Sequence, residues 1–189
     1  MSKQAKTLNE REVKRLLEYI AKTKSAKRNR AIVLLTHLAG MRIGEVAAVR
    51  VCDVLASDGT VRDEIHLTAQ QTKGSQSRTV LLSERMQAEL AAYMQTVRVS
   101  DPKQALFATQ RSAAFTANSL TQVINGLYKN AGFDACSSHT GRRTFLTNLA
   151  EKGVGVRVLM ALSGHRHMSS VQKYLDLRPG VLRNAVELA

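Results

Sequence analysis

In the stretch SGHRHMSSVQKYL, Tyr174 follows His165 by nine residues. A lone helical tyrosine is ordinarily a core residue with its hydroxyl at the surface, so its company decides what it does. In GMRIGEVAAVR, Arg42 and Glu45 are three residues apart, on one face of a helix. Alone, that pair reads equally well as an exposed intrahelical ion pair. In SSHTGRRTFLTNL, His139 and Arg142 also stand three apart, a donor-rich combination suited to the non-bridging oxygens of a phosphate. Arg143 points elsewhere on that helix and could contact the backbone of bound DNA. His165 and His167 could suggest a metal, but no cysteine or carboxylate lies nearby to complete a set. Lys73 sits in a polar turn.

Two arginines, two histidines, a lysine and a tyrosine, with no cluster of carboxylates, suit one reaction type. A tyrosine hydroxyl can attack a phosphodiester and form a covalent phosphotyrosine without metal or activated water. Arg42 and Arg142 would neutralise the charge growing on the equatorial oxygens. An ammonium such as Lys73 can reach the leaving oxygen and protonate it as general acid. The reading therefore calls for no metal and no cofactor.

The bulk composition agrees. The 189 residues include 28 Lys and Arg against 15 Asp and Glu, a net charge of +13 and a pI near 10.3. Such an excess attracts a polyanion, double-stranded DNA foremost, bound mainly through its phosphates. A hydrophobic fraction of 44% and mean hydropathy of -0.18 describe a chain able to bury a core. With no Trp and 4% aromatics, aliphatic side chains must build that core. Cys52 and Cys136 lack metal spacing and read as free thiols of a reducing compartment. The N-terminus lacks the apolar stretch of a signal peptide, and no apolar run approaches the ~20 residues of a membrane span. The expectation is a cytoplasmic, nucleoid-associated protein with no membrane contact.

The elements that must position these side chains are mostly helical. Thr7-Leu8-Asn9-Glu10 has a capping-box pattern, and Val13, Leu16, Leu17 and Ile20 then recur at helical spacing. A polar stretch over 25–30 precedes an apolar helix over 31–39, which Gly40 ends. A short helix follows, with Val46 and Val49 opposite Arg42. Beyond the turn Ser57-Asp58-Gly59-Thr60, IHL and RTVLL read as antiparallel strands flanking Lys73, with Lys73-Gly74-Ser75 at a turn. Ser83 is an N-cap. A helix covers about 118–130, and three short helices after His139 are separated by Gly153, Gly155 and Gly164. Pro179-Gly180 breaks the chain before a small terminal helix in VLRNAVELA. The fold class is mostly α with a small antiparallel β-sheet (α+β), in one domain.

In order and spacing, GMRIGEVAAVR, TKGSQSRTVLL, HTGRRTFLTNLAEKGV and SGHRHMSSVQKYLDL resemble the catalytic domain of the tyrosine recombinase (phage-type integrase) family, over about Thr7 to Leu177. The resemblance implies that fold, and site-specific cleavage and rejoining of DNA through a 3′-phosphotyrosine, as in integration, excision or inversion. It implies that Arg42, His139 and Arg142 activate the scissile phosphate, Lys73 is the general acid, His165 the last phosphate-binding position and Tyr174 the nucleophile. Glu45 matches an acidic position supporting the site from behind. Arg143, Arg111 and Asn118 are candidates for contacting DNA. The resemblance also implies self-assembly on paired DNA sites, as a tetrameric synapse, from a chain that is monomeric in isolation, with no cofactor. Gly141 and Arg143 depart from the family's usual apolar residue and histidine. Residues 1–189 read as a single catalytic domain with 178–189 a tail helix and no N-terminal DNA-clamping domain. A catalytically inactive DNA-binding regulator of this fold and a type IB topoisomerase are the alternatives.

Overall fold

The computed structural model describes residues 5–72, 76–109, 112–172, 174 and 186–187. The expected strand-flanked turn at Lys73, the contact candidate Arg111 and almost all of the tail helix lie outside them.

Helix α1 spans Glu10–Ala21 and places Leu16, Leu17 and Ile20 in the core. Its cap is Asn9, not the first residue of the expected Thr7 pattern. The Asn9 side chain accepts from the Glu12 backbone N–H while Glu12 reaches back to the Asn9 N–H, satisfying two orphan donors reciprocally. Helix α2 (Ala26–Leu38) begins five residues before the expected start. The polar, basic stretch supplies its first turns, and every residue from Ala31 to His37 is buried. It is the central helix, packed on α1, on α5 (Glu84–Met94) and on α7 (Thr140–Glu151).

After Gly40 come α3 (Ile43–Ala48) and the single turn α4 (Val51–Val54). Strands β1 (Glu64–Leu67) and β2 (Arg78–Leu81) pair antiparallel, with Ile65 opposite Val80 and Leu67 opposite Arg78. Helix α5 starts at the Ser83 cap, whose side chain accepts from the Met86 N–H. Helix α6 (Ala117–Asn130) packs on α3, and α7, α8 (Val156–Ser163) and α9 (Ser169–Gln172) follow. The small antiparallel sheet in a mostly helical domain is the expected class.

Two apolar clusters hold this arrangement. The larger joins α1–α6 and the sheet, with Leu16, Ile20, Leu34, Leu35, Val46, Ile65, Met86 and Leu90 wholly shielded from water. The smaller consists of Leu146, Leu159 and Val171, ringed by partly buried side chains that include Phe145, Met160 and Tyr174. The core is mainly aliphatic, as the composition requires, with Phe107 and Tyr128 among its largest fully buried side chains. Cys52 and Cys136 are free thiols. Among the described residues no helix is long and apolar enough to cross a membrane.

Candidate active site

The site forms where α2 ends, α3 begins, α7 passes and α8 stops. Gly40 adopts φ +62°, a left-handed conformation open to glycine, and a Cβ there would lie 2.5 Å from the Phe145 ring. That turn delivers Arg42 to the N-cap of α3, outside the helix proper, so Arg42 and Glu45 do not share a helix face as the spacing suggested. Instead Glu45 reaches back to its own N-cap. It accepts from the Arg42 backbone N–H at 2.8 Å and from Arg42 Nη1 at 2.9 Å.

Glu45 is 1% exposed, and a lone carboxylate so placed would be costly. Arg78 completes it, with Nε 3.1 Å from one carboxylate oxygen and Nη2 2.7 Å from the other. Burial pushes the Glu45 pKa up, yet the hydrogen bonds and charge of Arg78 and Arg42 outweigh it and hold it below the usual carboxylate range. Glu45 is therefore an anion that orients arginines.

Arg142, on the first turn of α7, is 6% exposed. Its Nη1 donates to the Gly40 carbonyl at 2.6 Å and its Nη2 to the Ser163 carbonyl at 2.5 Å. These partners are neutral. Burial first, then repulsion from Arg42, push its pKa down to about 9, with Tyr174 and Glu45 acting in the opposite sense. It remains protonated at neutral pH, a buried cation hydrogen-bonded to carbonyls and lying beside other cations. Three guanidiniums, of Arg42, Arg78 and Arg142, face the single carboxylate of Glu45, so the site carries an excess of positive charge.

His165 follows Gly164, whose φ of +64° ends α8. Its Nδ1 lies 2.7 Å from Ser163 Oγ, and that hydroxyl donates to the Leu159 carbonyl at 2.5 Å. With its proton so committed, Ser163 is placed to accept from a His165 Nδ1–H. The His165 and Tyr174 rings are 6.5 Å apart between centroids. A surface cavity of about 310 Å³ opens beside His165, lined also by Arg42, Thr72, Arg78, Gly164 and Arg166 among others.

The structure thus brings together Arg42, Glu45, Arg142, His165 and Tyr174. His139 is exposed at the N-cap of α7 while Arg142 is buried one turn on, so the two do not share one environment. Arg143 is half-buried, with its Nε shielded and without a hydrogen-bond partner. Asn118 is exposed on the first turn of α6, next to Ala117, whose Cβ would lie 3.6 Å from a Cβ on Gly44.

Arg78, Ser163 and the tight seat of Gly141 did not emerge from the sequence. A signal for Arg78 existed: it alternates with buried Val80, which puts it on the inward face of β2. At Gly141 a Cβ would collide with the Thr36 side chain and come within 2.9 Å of His37 Cδ2. The glycine is what lets α7 close on α2, which is why the larger apolar residue expected by resemblance is missing.

The profile of the phage integrase family matches residues 6–180. The chain belongs to the phage integrase family. Among relatives, the tyrosine recombinase XerA of Pyrococcus furiosus is 29% identical over 187 residues, covering 97% of this chain and 62% of that protein. The crystal structure of a XerA recombinase superposes with a TM-score of 0.76 at 26% identity, over 97% of this chain and 64% of the other. The catalytic domain of bacteriophage HP1 integrase shares the fold, with a TM-score of 0.65 at 19% identity over 97% and 95% of the two chains. This phage integrase family member spans about three-fifths of the length of the curated relatives it matches.

Proposed function

We propose that this domain is the catalytic part of a site-specific DNA recombinase, which cleaves and rejoins strands through a 3′-phosphotyrosine at Tyr174. The observation that carries the reading is Arg142, a buried cation seated on two backbone carbonyls and crowded by other arginines. A phosphodiester placed there supplies the missing negative charge, and Tyr174 is close enough to act electrostatically on the same guanidinium.

Arg142 and the free donors of Arg42 grip the non-bridging oxygens, with His139 as a further donor from the start of α7. The Tyr174 oxygen attacks phosphorus and the bond to the 5′ oxygen breaks. The tyrosine proton passes to the His165 imidazole, whose Nδ1 lies against Ser163 Oγ, and the resulting imidazolium then donates to the phosphoryl group. Lys73 protonates the departing 5′ oxygen. Attack by a 5′ hydroxyl from a second duplex reverses each transfer and rejoins the strands.

With a net charge of +13 the partner is double-stranded DNA. Arg143, Arg111 and Asn118 are candidate contacts with it, and pairs of sites are joined in a tetrameric synapse. Residues 1–189 act as one catalytic domain with 178–189 as its tail, in the cytoplasm at the nucleoid.

The test is to incubate the protein with nicked duplexes of random sequence, isolate covalent adducts on a denaturing gel, and sequence and resynthesise the trapped DNA. A covalent adduct is expected with the wild type and none with Tyr174→Phe. An adduct that survives Tyr174→Phe contradicts the reading, and binding without any adduct identifies a regulator. Relaxation of a supercoiled circle without exchange between two trapped sites identifies a topoisomerase.

A further inference from the structure

Arg78 is absent from the chemistry above, yet its side chain, 10% exposed, lies within the site. Glu45 offers two oxygens with about four lone-pair positions, and four N–H groups occupy them. Arg78 supplies two with a fork across both oxygens, the strongest arrangement available to a carboxylate. Arg42 is left with its backbone N–H and a single side-chain bond through Nη1. The Arg42 side chain is 27% exposed, and the rest of its guanidinium is thereby free to face the cavity it lines.

We propose that Arg78 is a positioning residue, which occupies the forked seat on Glu45 and so keeps Arg42 from folding onto that carboxylate and turning away from the scissile phosphate. The proposal rests on the strand-transfer reading above.

Three further observations place Arg78 at a junction and not merely in an ion pair. It opens β2, five residues after Lys73, the proposed general acid. Its Nη1 donates to the Leu162 carbonyl at 3.0 Å, one residue before Ser163, which itself holds both Arg142 and His165. Gly164 is what makes the approach feasible, because a Cβ there would stand 2.8 Å from Arg78 Cδ. One side chain therefore joins the α3 cap that holds Arg42 to the segment bearing His165. A lysine could match the charge but not the fork together with a third, divergent bond.

The experiment measures single-turnover cleavage of the resynthesised duplex by the wild type and by Arg78→Lys, beside equilibrium DNA binding. Each is repeated on DNA whose scissile phosphate is a methylphosphonate. Arg78→Lys is expected to bind the phosphodiester DNA within about twofold of the wild type. It should cleave that DNA more slowly by on the order of 10- to 100-fold, the scale of a reacting-group misplacement of about 1 Å. On the methylphosphonate the non-bridging charge that Arg42 meets is gone, and the defect should shrink to within about threefold, because donor stabilisation of that charge is then no longer needed.

A defect of equal size on both DNAs, or no defect, overturns the proposal, since a general loss of folding would slow both alike. Glu45→Gln with Arg78→Gln removes both charges together and leaves no lone buried ion, which guards against an unfolded single variant. Because that double variant also removes the carboxylate that would capture Arg42, it should cleave phosphodiester DNA faster than Arg78→Lys, and a substrate-selective loss as large as that of Arg78→Lys also overturns the proposal. Failure of the wild type to form an adduct on its trapped DNA instead overturns the strand-transfer reading beneath it.

Discussion

Arg42 and Arg142 on one side, and Tyr174 on the other, are held by cores of very different depth. Arg42 caps a helix set in the large α1–α6 cluster, where Ile32, Leu34, Leu35, Met41 and Val46 are fully buried. Tyr174 lies two residues beyond the four-residue α9, over a cluster in which three of the described residues, Leu146, Leu159 and Val171, are fully buried. Arg142 spans the boundary, bonded to Gly40 on the first side and Ser163 on the second. The proposed phosphate grip is therefore preorganised by the larger cluster. The proposed nucleophile stands over the smaller one, and thinner packing is where local opening is expected first.

The sharpest way to break this comparison is at its boundary residue. Arg142→Ala is expected to lower the cleavage rate by about 100- to 1,000-fold, the cost of removing one preorganised charge donor. Single-turnover kinetics on the trapped duplex would measure it, and a change under tenfold would remove Arg142 from the grip.

Next come the cores themselves. Leu35→Ala, in the large cluster, should lower the free energy of unfolding by about 2–5 kcal/mol in denaturant titrations. Leu159→Ala makes a cavity of similar chemistry, yet it should leave the main transition nearly in place. Its effect should appear in faster amide exchange over 156–172 and in slower adduct formation. Equal losses of global stability would mean that the two clusters form one cooperative unit.

The large core also holds a buried histidine, which makes its stability pH-dependent. His37 Nε2 is 2.9 Å from the Tyr128 hydroxyl, its Nδ1 has no partner, and burial lowers its pKa from 6.5 to about 4. Between those values the unfolded chain binds more protons than the folded one, so stability falls as pH drops from about 6.5 towards 4. The loss amounts to about 3 kcal/mol. In a pH series of unfolding curves, His37→Gln should flatten that limb; an unchanged limb would place the acid sensitivity elsewhere.

A smaller effect is expected where the two clusters meet. Gly141→Ala forces a methyl group against Thr36 and should cost about 1–3 kcal/mol of stability by overpacking. A neutral substitution in thermal unfolding would show that α2 and α7 can separate freely.

Local features of this fold were legible in the sequence because local physics sets them: the Ser83 cap, the Gly40 turn, the alternating strands around Lys73 and the glycines that divide the last helices. The aliphatic core followed from the scarcity of aromatics. Arg42 was misplaced onto a helix face because a cap and a first-turn residue differ by one position in the sequence but by backbone conformation in space. The start of α2 was missed because its first turns are polar. Of the candidate site, the nine-residue interval singled out His165 and Tyr174, whose rings lie 6.5 Å apart between centroids. Arg78 and Ser163 could not be singled out in this way, since each matters only through contacts between segments distant in sequence, Arg78 with Glu45 and Leu162, and Ser163 with Arg142.

The most direct test of the central claim is to digest the wild-type adduct with nuclease and protease and sequence the modified peptide by tandem mass spectrometry. The account predicts a nucleotide remnant attached through its 3′ phosphate to Tyr174. A remnant on any other residue, or linkage through a 5′ phosphate, would contradict it.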